Sequence, residues 1–431
     1  MAAKILRDLL RLVTGETLRP ASAGHRTPLH ASESDKGRIV NSAAFRRLQQ
    51  KAQVFPLDPN ASVRTRLTHS IEVSQLGKYL AQRVIEKMAA GNEPYREMAA
   101  LVNVVENACL LHDIGNPPFG HLGEAAIREW FSEHGSPESD LKMFDGNPQG
   151  FRQVALLSGK DEHGMNLTCS LLLATVKYPW RYRSMPQGAK KIGIFDAEWK
   201  HYEHACDRVG WTPTHKFPFL LLMEAADDIA YSMSDLEDGL EKKIIRIEDL
   251  ADEFGEWRFA SKSVHPMIAF KTSVINEAVE SAAEAFTANA AGILAGNAVR
   301  LITLDSDIGR LMNKVNEFAR KQIYSHPSAE RVELAGRNVI CGLLTHFKLL
   351  LDLPEDEFVA LVRGDARGLR GRDFHLRLIR LLPKSYKDKY LLQERGAEMG
   401  RREHLIVDFI SGMTDHYALE TYQVLQGIRI Q

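Results

Sequence analysis

Histidine and aspartate side chains recur at three places where the surrounding sequence predicts buried helices. His69 lies near the start of one apolar-periodic segment, the adjacent pair His112 and Asp113 ends a second, and Asp227 lies inside a third. A carboxylate buried in an apolar helix is costly unless a cation or an ion pair satisfies it. Imidazole nitrogens and carboxylate oxygens together suit Mn, Fe, Co, Ni, Zn or Mg in an open site. These residues therefore predict a divalent metal centre.

A histidine-aspartate pair at a helix end also has a simpler interpretation, a helix cap followed by a surface histidine. The segment around Asp227 weakens that interpretation. Asp227, Tyr231 and Asp235 follow one another at four-residue steps, so they share one helix face. A solvated acidic face would explain them too, but Leu221 and Ile229 indicate a helix buried over much of its circumference. Two carboxylates and a phenol on such a helix favour a functional site.

Several helices are expected to position these residues. Apolar residues recur at three- and four-residue intervals in 71–88, 98–111 and 217–240, which predicts helices there. The alanine-rich stretch 282–296 also favours a helix, and residues 1–18 read as an amphipathic helix rather than a signal peptide. Strand-like alternation is scarce. The chain is therefore expected to be all-α, by default as one elaborated helical domain.

Turn-forming residues predict loops at 21–34 and 134–150. The segment 184–198, SMPQGAKKIGIFDAE, combines proline, glycine and paired lysines. We interpret this segment as an excursion over a site rather than as a core element.

The composition limits the cellular locations and function classes that we expect for the protein. The 431 residues include 55 basic and 56 acidic ones, and a net charge of -1 gives no overall attraction to nucleic acid or membrane. Four scattered cysteines without a C-x-x-C pair suit reduced thiols in a cytoplasmic protein. The longest apolar runs fall short of the roughly 20 residues that span a bilayer. No Gly-x-x-x-x-Gly-Lys-Ser/Thr loop is present, which excludes a P-loop ATPase.

Longer motifs surround the candidate ligands. They are GRIVNSAAFRRLQQKAQVF at 37–55, RTRLTHS at 64–70, HDIGNPPFGHLGE at 112–124, KYPW at 177–180 and the stretch 224–238. In this order they resemble the bacterial dGTPase family, the deoxynucleoside triphosphate triphosphohydrolases of the HD superfamily of metal-dependent phosphohydrolases. The matches span roughly the first 240 residues, and the remainder carries weaker signals, mainly at 333–344.

The resemblance implies a fold and a ligand set. It implies an all-α fold with an HD-domain helical core and additional helical elaborations. The expected division is a helical N-terminal segment at 1–60 that contributes to the site, the HD core at 61–240 and a helical extension at 241–431, or one continuous domain. The metal ligands implied by the resemblance are His69, His112, Asp113 and Asp227.

The resemblance also implies acid/base machinery. His121 and Glu124 lie three residues apart, so on a helix the carboxylate can orient the imidazole. Histidine titrates near neutral pH and suits proton transfer close to the α-phosphate. The alternative for His121 is a loop histidine that caps the next helix.

Substrate contacts are implied by the same family. Arg66, one helical turn before His69, is expected to bind triphosphate oxygens bidentately. Lys177 and Lys191 are candidate phosphate ligands, although single lysines commonly coat a surface. Arg46 and Arg47 are explained as well by ion pairing on a helix face as by substrate contact.

The sugar pocket follows from the same resemblance. Tyr231 is expected to pack against the deoxyribose and leave no room for a 2′-hydroxyl, which is a steric discrimination. Gln53 and Asp235 are expected to hydrogen-bond the 3′-hydroxyl.

The implied reaction is attack of water on the α-phosphorus, which yields a deoxynucleoside and tripolyphosphate. Two alternatives stay open: an HD nucleotidase that takes monophosphates, and a regulatory protein that binds nucleotides or single-stranded DNA. For the latter, the arginines of 363–380 form a basic cluster, which a solvated surface explains as well. The family also implies a homo-oligomer, often a hexamer. Neither base preference nor metal identity follows from the sequence.

Overall fold

The fold is helical throughout the part of the chain that the structure describes. This structure is a computed structural model and describes residues 2–20, 24, 26–91, 93–255, 259, 264–365, 371–392 and 398–428. Within these ranges there are nineteen α-helices and no strand beyond two isolated bridges, Thr17 with Thr168 and Ala52 with Thr65. The predicted all-α class is confirmed.

The α-helices are α1 (Ala2–Arg11), α2 (Pro28–Val40), α3 (Ala43–Arg47), α4 (Arg66–Met88), α5 (Tyr95–Leu111), α6 (Gly120–His134), α7 (Gly146–Arg152), α8 (Cys169–Ala174), α9 (Trp199–Val209), α10 (Pro218–Glu241), α11 (Ile247–Phe254), α12 (Pro266–Leu294), α13 (Asp307–Ala319), α14 (Pro327–Leu351), α15 (Glu355–Arg363), α16 (Asp373–Leu381), α17 (Lys384–Leu392), α18 (Glu398–Ser411) and α19 (Asp415–Leu425). Short 3-10 turns occur at Leu48–Gln50, Asp140–Met143, Tyr182–Ser184 and Asp196–Glu198, and π-helical turns at Gln153–Leu157 and Arg320–Tyr324.

The long periodic segments form the predicted helices, but two predicted loops are partly helical. In 21–34, α2 begins at Pro28 because Thr27 caps it and proline is tolerated in the first turn. In 134–150, a 3-10 turn forms and α7 begins after Asp145, whose side chain accepts a hydrogen bond from the amide of Asn147. Residues that favour turns act here as helix caps.

The first hydrophobic core surrounds α4, which packs against α5, α10 and α12. A capping box at Thr65 and Thr68 fixes the start of α4, so the first turn that carries His69 has a defined direction. Helices from all three expected segments contribute to this core. The segment boundaries themselves stay a prediction.

The second core lies around α14, which packs against α6, α18 and α19. By length and composition, α14 alone among the described helices could cross a membrane. Its residues Ile340, Leu343 and Phe347 are buried against its neighbours, and core helices of this kind meet the same criterion.

Buried ion pairs join the C-terminal helices to the rest of the chain. Both oxygens of Asp408 on α18 accept hydrogen bonds from Arg152 at 2.8 Å, and Arg152 also pairs with Glu198. Nearby, His404 lies 2.8 Å from Asp140. All five side chains are buried, so α18 is tied to α7 and to the end of the 184–198 segment by charges that have no access to solvent.

Candidate metal centre

Three helices of the first core bring two histidines and one aspartate together. His69 comes from the first turn of α4, His112 from the end of α5 and Asp227 from the middle of α10. The Nε2 atoms of His69 and His112 lie 3.3 and 3.4 Å from Oδ1 of Asp227. One potential ligand atom from each residue lies within 4.8 Å of the other two. The structure thus brings together three of the four predicted ligands.

The hydrogen bonding of His112 fits a metal ligand. Its Nδ1 lies 2.7 Å from the carbonyl oxygen of Cys109, which can only accept, so Nδ1 carries the proton and Nε2 carries a lone pair. Nε2 is buried and has no hydrogen-bond donor among the described residues. It faces Oδ1 of Asp227, another acceptor. Two acceptors this close need a proton or a cation between them, and a divalent metal fits this N/O set.

Asp113, the fourth predicted ligand, is held by its neighbours. One oxygen accepts a hydrogen bond from Arg66 at 2.7 Å and the other accepts one from Asn116. Oδ2 also lies 3.6 Å from Nε2 of His112, beside the three-residue group. Burial alone would raise the pKa of Asp113, but the charge of Arg66 holds that pKa well below its usual range. Asp113 is therefore ionised, and its carboxylate can help the neighbouring three residues to bind a cation.

The turn after Asp113 depends on a glycine. A Cβ added at Gly115 would lie 2.1 Å from the amide nitrogen of Gly150 and 2.2 Å from the carbonyl oxygen of Gly146. No side chain fits at that distance. The turn after Asp113 and α7 can approach each other this closely only with glycine at position 115.

The predicted acid/base pair forms at the start of α6. Nδ1 of His121 lies 3.0 Å from Oε2 of Glu124, and the amide of Gly146 donates to Oε1 of Glu124 at 2.8 Å. Glu124 is buried, whereas the His121 side chain is 80% exposed and lines the cavity in front of the metal centre. The amide of Gly146 holds the carboxylate of Glu124 in place. This carboxylate can in turn orient the imidazole of His121, which is accessible from the cavity.

A cavity of about 500 Å³ opens onto both groups. Five of the six predicted substrate-binding residues line it: Gln53, Arg66, Lys177, Lys191 and Tyr231. Both lysines have carboxylate partners. Lys177 Nζ lies 3.2 Å from Asp227, and Lys191 Nζ lies 2.6 Å from Asp145. Although burial opposes it, the charges of Asp227 and Glu224 raise the pKa of Lys177, so this ammonium stays charged.

The sixth residue, Asp235, lies behind the cavity wall. Its carboxylate is buried and accepts a hydrogen bond from the hydroxyl of Tyr324, which also contacts the hydroxyl of Tyr231. Burial raises the pKa of Asp235 to about 7. Tyr324 and Tyr231 both line the cavity, so the phenols lie between Asp235 and the space for a ligand.

Sequence patterns did not identify Tyr324 or Glu333, which also line the cavity. Tyr324 ends a π-helical turn after α13, and Glu333 lies on α14. Neither belongs to a motif with the metal ligands. The wider stretch around Glu333 carried only a weak family signal, and Tyr324 carried none.

The remaining basic candidates have other partners. Arg46 donates to the carbonyl of Asn41 at 2.5 Å and Arg47 to that of Gly412 at 2.8 Å, so neither lines the cavity. Within the basic stretch 363–380, Arg372 pairs with Glu357. Arg367 and Arg370 lie outside the described residues.

The helical fold and the histidine-aspartate centre define an HD-domain protein of the metal-dependent phosphohydrolase class. The HD domain model matches residues 66–143, and a model described as a phosphohydrolase-associated domain matches residues 373–424. The deoxyguanosinetriphosphate triphosphohydrolase of Klebsiella pneumoniae is 35% identical, covering 95% of this chain and 96% of the relative. Proteins of the same name from Enterobacter and Salmonella arizonae are 34% identical, over 93% of this chain and 94% of theirs. The chain belongs to this deoxyguanosinetriphosphate triphosphohydrolase family.

Proposed function

We propose that this protein hydrolyses a deoxynucleoside triphosphate, dGTP or several dNTPs, to the deoxynucleoside and inorganic tripolyphosphate. The observation that carries the proposal is the convergence of three kinds of group on one cavity: the histidine-aspartate centre, the His121–Glu124 pair and three cationic side chains. The names of the relatives agree with this substrate class.

His69, His112 and Asp227 would hold a divalent cation, with Asp113 as the fourth ligand. When bound, such a cation polarises a phosphate oxygen as a Lewis acid. Mg, Mn or another transition metal suits the mixed N/O ligands. The buried acceptor Nε2 of His112 supports the assignment independently of the family.

His121 would move the proton. Because Glu124 holds Nδ1, Nε2 is the nitrogen left to exchange a proton with substrate. Removal of the triphosphate as one unit requires water to attack the α-phosphorus and the bond to the 5′ oxygen to break. The departing 5′ oxygen then takes up a proton, and an exposed imidazole at the cavity can donate it.

Arg66, Lys177 and Lys191 would bind the phosphates. Each already faces a carboxylate, so phosphate oxygens would compete with Asp113, Asp227 and Asp145 for these cationic side chains. Three cations suit a triphosphate better than a monophosphate.

Tyr231, Gln53 and Asp235 would select the deoxyribose. Oε1 of Gln53 is buried without a hydrogen-bond donor among the described residues, and the 3′-hydroxyl can supply one. Asp235 would reach the sugar only after its contact with Tyr324 opens or through that hydroxyl.

Two alternatives are less favoured. A monophosphate nucleotidase needs the same centre but fewer phosphate ligands, and a regulatory protein that binds nucleotides or single-stranded DNA needs no acid/base pair. We also propose that the protein forms a homo-oligomer, such as a hexamer. This part of the proposal rests on the family resemblance alone.

A product assay tests the proposal. The four dNTPs, GTP and dGMP are incubated with several divalent cations, and tripolyphosphate is resolved from pyrophosphate and phosphate. Asp227→Asn, which keeps the side-chain shape but removes the charge, is the matched control. Tripolyphosphate from a dNTP, absent in the control, is expected. Pyrophosphate or phosphate as the first product, or turnover of dGMP alone, would contradict the proposal.

A further inference from the structure

Residues 411–415, where α18 ends and α19 begins, contact two segments that border the cavity. Arg47 donates to the carbonyl of Gly412 at 2.8 Å, and Lys51 donates to the carbonyl of Ser411 at 2.7 Å. Lys51 also donates to the carbonyl of Asn116 at 2.5 Å, in the turn after the metal ligands. We call residues 411–415 the C-terminal turn. It belongs to the region matched by the phosphohydrolase-associated model.

Asp415 makes the contacts closest to the functional residues. Its Oδ2 accepts a hydrogen bond from the amide of Ala52 at 2.9 Å, and its Oδ1 accepts one from the amide of Phe119 at 3.0 Å. Ala52 precedes Gln53 in the chain, and Phe119 lies two residues before His121. Asp415 is only 2% exposed, so water does not substitute for either contact.

Two amides that converge from distant segments need an acceptor with two oxygens at a fixed separation, which a carboxylate provides. A fixed acceptor matters most for the amide of Phe119. The φ of this residue is +61°, in the left-handed region that is unfavourable for a bulky residue. Its ring is also held by α14, where a Cβ added at Gly336 would lie 2.5 Å from the ring. Packing and the Asp415 hydrogen bond together maintain this strained residue at the start of α6.

We propose that Asp415 is a positioning residue for the reaction, which sets the distance between the wall that carries Gln53 and the helix start that carries His121. The inference rests on the proposed hydrolysis. Asp415 is too buried to touch substrate, and it acts through the backbone of its two partners. Loss of the carboxylate lets the start of α6 move, and a displacement of about 1 Å of a catalytic group can cost about 10²-fold in rate.

The variants are Asp415→Ala, which removes both acceptors, and Asp415→Asn, which keeps one. Glu420→Gln makes the same charge change at an exposed position of α19, and Ala418→Gly weakens α19 without touching either amide. The kcat of Asp415→Ala is expected to fall about 10²-fold, with KM and bound metal nearly unchanged. Asp415→Asn is expected to recover part of that loss. Both controls are expected to keep the kcat of the wild type per folded molecule, although Ala418→Gly lowers Tm.

Hydrogen exchange at the amides of Ala52 and Phe119 gives a readout that does not depend on activity. Both are expected to exchange faster in Asp415→Ala, only one in Asp415→Asn, and neither in Glu420→Gln. Unchanged exchange, or an unchanged kcat in either folded Asp415 variant, would overturn the inference. If the wild type releases no tripolyphosphate, the proposed function fails, and the exchange rates alone decide whether Asp415 holds the two segments.

Discussion

The guanidinium of Arg66 lies 2.7 Å from the carboxylate of Asp113, so a predicted phosphate ligand is paired with a predicted metal ligand. The side chains are only 5% and 13% exposed. Removal of one partner of a buried pair leaves an uncompensated charge, which costs more than the pair contributes. If Arg66 binds phosphate and Asp113 binds metal as proposed, the two binding events are coupled through this contact.

Asp113→Ala is expected to abolish activity and to lower metal occupancy, while the helical fold persists. The free energy of unfolding should fall by about 3–5 kcal/mol because Arg66 is left without its partner. Metal analysis and urea unfolding measure the two effects. The double variant with Arg66→Ala should lose less stability than the sum of the single variants. Full metal occupancy in Asp113→Ala would count against the ligand assignment.

His121→Ala is expected to lose about 10²–10⁴-fold in kcat while it still binds metal and dNTP. The rate falls because a positioned proton donor is lost. Metal binding persists because His121 is not one of the proposed metal ligands. Glu124→Gln should show a milder loss, because the side chain keeps its shape but orients the imidazole less strongly. Single-turnover hydrolysis and equilibrium dNTP binding separate the two effects. Near-normal turnover in His121→Ala would exclude the role.

Tyr231→Ala is expected to narrow the preference for dNTP over NTP, because it opens space beside the sugar. Tyr324→Phe is the matched comparison, since it removes only the hydroxyl that contacts Tyr231 and Asp235. It should keep the steric discrimination against a 2′-hydroxyl, because the ring of Tyr231 stays in place. The ratio of kcat/KM for dGTP to that for GTP measures the sugar preference of both variants. Equal ratios in Tyr231→Ala and the wild type would remove Tyr231 from this role.

Asp35 should make stability depend on pH. It is fully buried, pairs with Arg38 at 3.1 Å and accepts hydrogen bonds from the amide and hydroxyl of Thr168. Burial outweighs these contacts and raises its pKa from 3.8 to about 6. The folded state thus binds the proton more tightly than the unfolded state. Proton binding to Asp35 therefore stabilises the folded state below pH 4. As the pH rises from 4 to 6 this stabilisation is lost, and the free energy of unfolding falls by about 3 kcal/mol.

Asp35→Asn keeps an acceptor for Thr168 but cannot ionise. Its free energy of unfolding should change less between pH 4 and pH 6 than that of the wild type, as measured by urea unfolding across that range. Parallel curves for the two proteins would contradict the raised pKa.

The sequence predicted the parts of the site that are local in the chain. The long helices follow from apolar periodicity. The His121–Glu124 pair was implied by the family resemblance, and its three-residue spacing makes the contact possible on α6. Contacts made by residues outside these motifs were not predictable. Tyr324 reaches Asp235 across 89 residues, and Asp415 reaches Phe119 across 296, with no pattern that links either pair. Such contacts depend on how the two cores pack, which periodicity does not specify.

The Arg152–Asp408 pair has a consequence for synthesis on the ribosome. The partners are 256 residues apart, so Arg152 leaves the ribosome long before Asp408 exists. At about 5–20 residues per second, the delay is about 13–50 s. During that interval α7, which packs against the turn at Gly115, holds a guanidinium without its bidentate partner. The contact that fixes α7 to α18 can therefore form only after α18 has been translated.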